Sequence, residues 1–236
     1  MTAVLGAPVR RLRRSFDDAP TWTWAVLIVL VVALIARVVA VLVTRPYVPL
    51  TDALHFDHIA RSIIDGRGFG DAIVPPAEGP TAFRAPLYPV GLAALYQIVG
   101  VGLTKARLAQ AVLGTVTVGL IGLLAAQLWG RREALIALAL AAVYPPLILM
   151  ATSLQWEVLF VPLMLGALAV ALAYRGRTGL TIPAVAGALL GLAGLSRETG
   201  LLKLLPLALL ILQAAAPDRR TPVLAIATAA GAMVLV

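Results

Sequence analysis

Residues 86–101 read Pro-Leu-Tyr-Pro-Val-Gly-Leu-Ala-Ala-Leu-Tyr-Gln-Ile-Val-Gly-Val, and whether this stretch crosses a membrane decides the fold. It is apolar but holds only 16 residues, with prolines at its first and fourth positions. A spanning helix takes about 20 apolar residues. Longer or flanking apolar runs lie at 22–43, 108–129, 133–153, 158–174, 180–196, 200–216 and 221–236. Charge chooses between the topologies. If 86–101 stays on one side, then Arg10, Arg11, Arg13, Arg14, Arg131, Arg132, Arg175, Arg177, Arg219 and Arg220 all share one face. That face is cytoplasmic by the positive-inside rule. If 86–101 crosses, the last three pairs change side and the bias disappears.

The sequence therefore predicts an all-α polytopic membrane protein of about seven transmembrane helices. Residues 1–21 are cytoplasmic, 22–43 form the first span, and 44–107 form a long first exterior loop containing amphipathic surface helices. In that loop 86–101 is a surface or re-entrant helix. Residues 108–236 hold the remaining spans, and the last of these reaches Val236 with no polar flank, as if truncated. The Arg10–Arg14 segment before the first run has the polarity of a signal peptide, but the run is longer than the ~7–15 apolar residues of one and lacks a small-residue cleavage pattern.

Composition agrees. The chain is 61% hydrophobic and 13% charged, against roughly a quarter charged in a soluble domain. It has no cysteine, which excludes disulfides, thiol nucleophiles and cysteine metal sites. Its net charge of +8 sits in short clusters between apolar runs. Such clusters suit anionic lipid, and no basic, aromatic-bearing face for nucleic acid is present.

The expected exterior face collects the polar candidates. Apolar residues at 56, 59, 60, 63 and 64 recur at helical spacing after Thr51-Asp52, and Gly66-Arg67-Gly68 ends the helix. Thr51 or Asp52 can cap its start, and Asp52 can equally be an interfacial general base. His55, Asp57 and His58 fit packing and solvation, or ligation with Asp52; residues five apart on a helix point apart, which disfavours a metal. Arg84, before Pro86, offers a fork of donors to a phosphate, or snorkels to headgroups. Glu157, the one acid between Glu133 and Glu198, lies at a bundle mouth after the Tyr144-Pro145-Pro146 break. Arg197 and Glu198 follow the run at 180–196, and Lys203 lies a turn further on. Arg37, inside the first run, either snorkels or meets an acid. Two carboxylates and two arginines above a membrane suit transfer chemistry on a lipid-linked phosphate.

Several pieces carry a family resemblance: TDALHFDHIARSIIDGRGFG, FRAPLYP, the Gln127–Arg132 turn, SLQWEVLF and GLAGLSRETGLLKLLPL. In their order and spacing the chain resembles the GT-C class of polyprenyl-phosphate-dependent membrane glycosyltransferases, which includes dolichyl-phosphate-mannose-protein mannosyltransferases and aminoarabinose transferases. The resemblance implies the N-terminal portion of a GT-C fold and transfer of a sugar, with inversion, from a polyprenyl-phosphate donor to a hydroxyl of a lipid, glycan or protein. It implies that Asp52 and Glu157 are the catalytic acids. Arg84 would bind donor phosphate with Arg197, and His55 and Asp57 would also contact substrate. Glu198 stands where the family often has proline. No cofactor is expected. A divalent metal, used by some members, has no ligand set here beyond Asp52 and Glu157. The expected location is the plasma membrane, with the site exterior. The rival readings are a transporter or flippase of lipid-linked or anionic solutes, and an inactive truncated remnant. A transporter places its polar sites nearer the bilayer midplane.

Overall fold

The computed structural model describes residues 19–70, 80, 84–173, 180–197 and 226–232. Among these the regular structure is α-helical, with one isolated backbone bridge between Gly70 and Pro80. The first helix, α1, is Ala19–Val43. Its face at Trp24, Ile28, Val31, Ile35, Val39 and Leu42 stays exposed, by 66% at Trp24. Water would not tolerate so long an apolar stripe, and hydrocarbon does. This is an all-α membrane protein.

Residues 52–99 hold two short helices, α2 (Asp52–Ile64) and α3 (Leu87–Val99). With 13 residues, α3 is about 20 Å long, short of the ~30 Å hydrocarbon core. The apolar stripe of α2, which reads as membrane-facing in sequence, is instead covered by protein. Ala53, Phe56 and Ala60 pack with Tyr88, Leu92, Ala93 and Tyr96 of α3 in one buried cluster. Thr51 precedes α2 at φ 50°, uncommon for a β-branched residue, and makes no side-chain cap. The helix ends as expected, with Gly66 and Gly68 at φ 75° and 83°, where a Cβ is disfavoured.

The helix α4 is Leu103–Leu128, roughly 39 Å long and apolar enough to span. It starts at Leu103 and not at 108, so Lys105 and Arg107 belong to the helix and not to the preceding loop. The run at 133–153 is two helices, α5 (Arg131–Val143) and α6 (Pro145–Thr152), bent by 55°. Pro145 and Pro146 have no N–H, so the carbonyls of Ala141 and Ala142 lose their helical donors. Arg37 of α1 supplies the second. Its Nη1 donates to the Ala142 carbonyl at 3.2 Å and to that of Ala33 at 2.9 Å. Arg37 is wholly buried and does not snorkel, and among the described residues it meets no acid. Gly114 of α4 leaves room for it, since a Cβ there would lie 2.9 Å from Arg37 Nε.

Two shorter apolar helices complete the described bundle, α7 (Glu157–Leu172) and α8 (Thr181–Ser196). They pack through Ala167, Ala171, Ala186 and Leu190, joined by Ala229 of the helical stretch 226–232. Small residues let helices approach closely where lipid removes the hydrophobic drive between them. Among the described residues, two helices and the bent α5–α6 pair meet the length of a span. The run at 200–216, Glu198 and Lys203 lie outside the described residues, as do Arg10–Arg14 and the arginines at 175, 177, 219 and 220.

Candidate active site

At the end of the bundle where α1 stops and α4 begins, the loop that follows α1 carries α2 with Asp52 in its first turn. Helical geometry would let that carboxylate cap its own helix, yet it turns outward to another segment. Arg84 Nη2 donates to Asp52 Oδ1 at 2.6 Å. Arg84 is held from below by the Phe56 ring, 5.6 Å from its guanidinium carbon. Phe56 in turn meets Tyr88 edge-on at 4.8 Å. The pair is only partly covered, with side chains 38% exposed at Asp52 and 21% at Arg84, so a ligand can reach it.

Glu157 comes from a different direction. The α6 helix ends at Thr152, the chain turns through Ser153–Trp156, and Glu157 opens α7. Its carboxyl is half-buried, and among the described residues Oε2 has no hydrogen-bond partner. Burial pushes its pKa up, Arg197 opposes that, and Asp52 adds to it. Trp156, next to Glu157 in the chain, packs against the cluster that holds Phe56 and Tyr88, so Glu157 lies at the same end of the bundle as Asp52 and Arg84. Arg197, just past α8, lies over the Trp156 ring at 4.5 Å. Four of the residues expected from sequence, Asp52, Arg84, Glu157 and Arg197, therefore converge.

His55 and Asp57 behave differently. His55 is half-buried, one turn after Asp52. Asp57 is buried with both oxygens engaged: Tyr96 donates its hydroxyl to Oδ1 at 2.6 Å, and Arg61 Nε donates to Oδ2 at 2.9 Å. The geometry makes Asp57 a clamp between α2 and α3. Burial and the Asp57 carboxylate both hold the Tyr96 phenol well above its ordinary pKa. Among the described residues no group of three His, Cys, Asp or Glu side chains converges in a way that could hold a metal ion.

Beside Tyr88 opens an apolar cleft of about 440 Å³ between α3, α4 and α7, with Gly91, Leu95, Val112, Leu113 and Leu159 in its walls. Tyr88 and Gln110, hydrogen-bonded to each other, are its polar groups. Of the aromatic pair, Tyr88 lines the cleft, and Phe56, the ring under Arg84, packs against Tyr88.

The profile of the family described as dolichyl-phosphate-mannose-protein mannosyltransferase matches residues 83–236, more than half of the chain. The chain belongs to that family. Membership of the mannosyltransferase family points to a membrane glycosyltransferase that draws on a lipid-linked sugar donor. Comparison with curated proteins and with solved structures finds no match. Within this member, Arg84, Glu157 and Arg197 lie inside the matched stretch. Asp52 lies before it and joins the site through its bond to Arg84.

Sequence reasoning missed Arg107, the Asp57–Tyr96 bond and the Gln110–Tyr88 pair. For Arg107 a signal exists. Arg107, Gln110, Gly114 and Thr117 fall at helical spacing on one buried face of α4, a polar and small stripe inside an apolar run.

Proposed function

We propose that this protein transfers a sugar from a polyprenyl-phosphate donor to a hydroxyl acceptor with inversion, at the exterior face of the cell membrane. The observation that carries this reading is the Asp52–Arg84 pair, seated on the Phe56 ring whose neighbour Tyr88 forms a wall of an apolar cleft. The cleft suits an isoprenoid chain, and the arginine suits the phosphate at its end.

In the resting site Arg84 neutralises Asp52. A donor phosphate competes for the same guanidinium and frees the carboxylate as it binds. Asp52 then takes the proton from the acceptor hydroxyl while that oxygen attacks the anomeric carbon. The bond from the anomeric carbon to the phosphate oxygen breaks, its electron pair leaves with polyprenyl phosphate, and Arg84 stabilises that charge. A single displacement inverts the anomeric centre. Arg197, at the mouth beside Trp156, adds positive potential on the phosphate side. Glu157 presents its unpartnered oxygen to sugar or acceptor hydroxyls. The acceptor is a lipid, glycan or protein hydroxyl.

The test is Asp52→Asn in the full-length protein, assayed with polyprenyl-phosphate mannose in native membranes. A positioned base contributes about 10²–10⁴ in rate, so transfer should fall by that factor with membrane insertion unchanged. Transfer at the parental rate would remove Asp52 from the base role, and uptake of donor with no covalent product would favour a carrier.

A further inference from the structure

Arg107, like Arg37, is a buried cation that the proposed chemistry leaves unused. The residue is 1% exposed, and among the described residues its contacts are carbonyls, a hydroxyl and an aromatic ring, with no carboxylate. Nε donates to the Thr152 carbonyl at 2.5 Å, Nη2 to Thr44 Oγ1 at 2.5 Å and Nη1 to the Thr44 carbonyl at 3.5 Å. The guanidinium also lies over the Tyr47 ring at 4.3 Å.

Both carbonyls have the same origin. Thr152 is the last residue of α6, and Thr44 directly follows α1. The final carbonyls of a helix lack donors and carry the negative end of its dipole, about half an elementary charge. Two such ends together approximate one negative charge, which accounts for a buried guanidinium without an acid. Each of these ends is also the root of a segment that carries a site carboxylate. The chain leads from Thr44 to Asp52 and from Thr152 to Glu157. A second tie joins the same two segments, since Leu154 N–H donates to the Tyr47 hydroxyl at 3.3 Å.

Resting on the assignment of Asp52 and Glu157 to the site, we infer that Arg107 is a positioning residue that fixes the separation of the two carboxylate-bearing segments. Arg107 binds the roots and Tyr47 binds the Glu157 loop, so the two acids share one anchor.

The experiment places cysteines at Leu50 and Ser153, one in each segment, in the full chain, which has no cysteine of its own. Spin labels at both report the distance distribution in nanodiscs. The parent should give one narrow distribution. Arg107→Gln should broaden it and lower kcat at least tenfold, measured as polyprenyl phosphate released from polyprenyl-phosphate mannose, with donor KM changed less than threefold. Arg107→Lys, which restores charge but not the fork, should recover part of both. If Arg107→Gln does not fold, Tyr47→Phe keeps the ring under Arg107 and loses only the acceptor for Leu154; it should broaden the distribution with a several-fold fall in kcat. An unchanged distribution in the folded variants would overturn the inference, as would a parental kcat. The distance readout needs no catalytic assignment. If Asp52→Asn keeps full transfer while Arg107→Gln still broadens the distribution, the base assignment fails and the anchor stands.

Discussion

Removing one hydroxyl should separate α2 from α3. In Tyr96→Phe the ring still fills its buried slot against Leu92 and Ala93, but Asp57 Oδ1 loses the donor at 2.6 Å. Hydrogen bonds to charged groups are worth about 1.5–3 kcal/mol, and leaving a buried acceptor unsatisfied costs a similar amount. Asp57 keeps Arg61, but that side chain is 42% exposed, so solvent screens the remaining pair and it compensates little. A loss of about 2 kcal/mol is expected, or about 4–8 °C in Tm for a chain of this size. The assay is thermal unfolding in detergent for the parent, Tyr96→Phe, Asp57→Asn and the double variant. The coupling between the two positions should recover most of the single-variant loss, while donor KM stays within twofold in each folded protein. The opposite pattern would refute the clamp: Asp57→Asn raising donor KM tenfold or more at unchanged Tm, with no coupling to Tyr96. That outcome would return Asp57 to the substrate-contacting role that its sequence position suggests.

Two further expectations concern Glu157 and Gly114. Burial holds the Glu157 pKa above its ordinary 4.5, so the folded state disfavours the charged carboxylate. The penalty is absent at low pH, where both states are protonated, and grows as pH rises from 4.5 through the raised folded value. Glu157→Gln should therefore gain Tm relative to the parent as pH rises through that window, and a difference flat from pH 4 to 8 would contradict the burial argument. Gly114→Ala would place a methyl 2.9 Å from Arg37 Nε and 3.2 Å from its Cδ, and closer still to the Ala151 methyl. Overpacking of about 1–3 kcal/mol should outweigh the ~0.5–1 kcal/mol that alanine gains over glycine in a helix. Adding Ala151→Gly should restore most of the lost Tm; no restoration would mean that the α4–α6 approach is not the constraint.

The sequence features read along one segment carried over well. Spacing at 56, 59, 60, 63 and 64 marked α2 and its glycine stop, and the shortness of 86–101 anticipated α3. The Pro145-Pro146 pair located the bend. Charge sorting predicts one face for Asp52, Arg84, Glu157 and Arg197, and the packing of Trp156 with the Phe56–Tyr88 cluster and under Arg197 puts the four at one end of the described bundle. What stayed hidden depends on partners distant in the chain. Apolar-run counting treats an arginine as a boundary, so the run begins at 108, one residue beyond Arg107, whose stabilisation comes from the ends of two other helices. Arg37 read as a snorkelling or acid-seeking residue because its acceptor is a carbonyl created by a proline far away. The stripe on α2 read as lipid-facing because periodicity says which face is apolar and not what covers it. Local capping rules offered Asp52 to its own helix, where Arg84 competes more strongly for the carboxylate.

The bond between Arg37 and the Ala142 carbonyl ties two substitutions together. Replacing both Pro145 and Pro146 would bring back amide hydrogens for the Ala141 and Ala142 carbonyls and let Tyr144, extended before Pro145 at ψ 114°, return to helical geometry, straightening the third crossing and leaving the guanidinium in α1 with an acceptor already taken. Conversely, an apolar side chain at 37 would strand the oxygen in hydrocarbon unless both prolines also went. Among natural variants of this chain, Arg37 should be kept where Pro145 and Pro146 are kept, and lost where both prolines are lost.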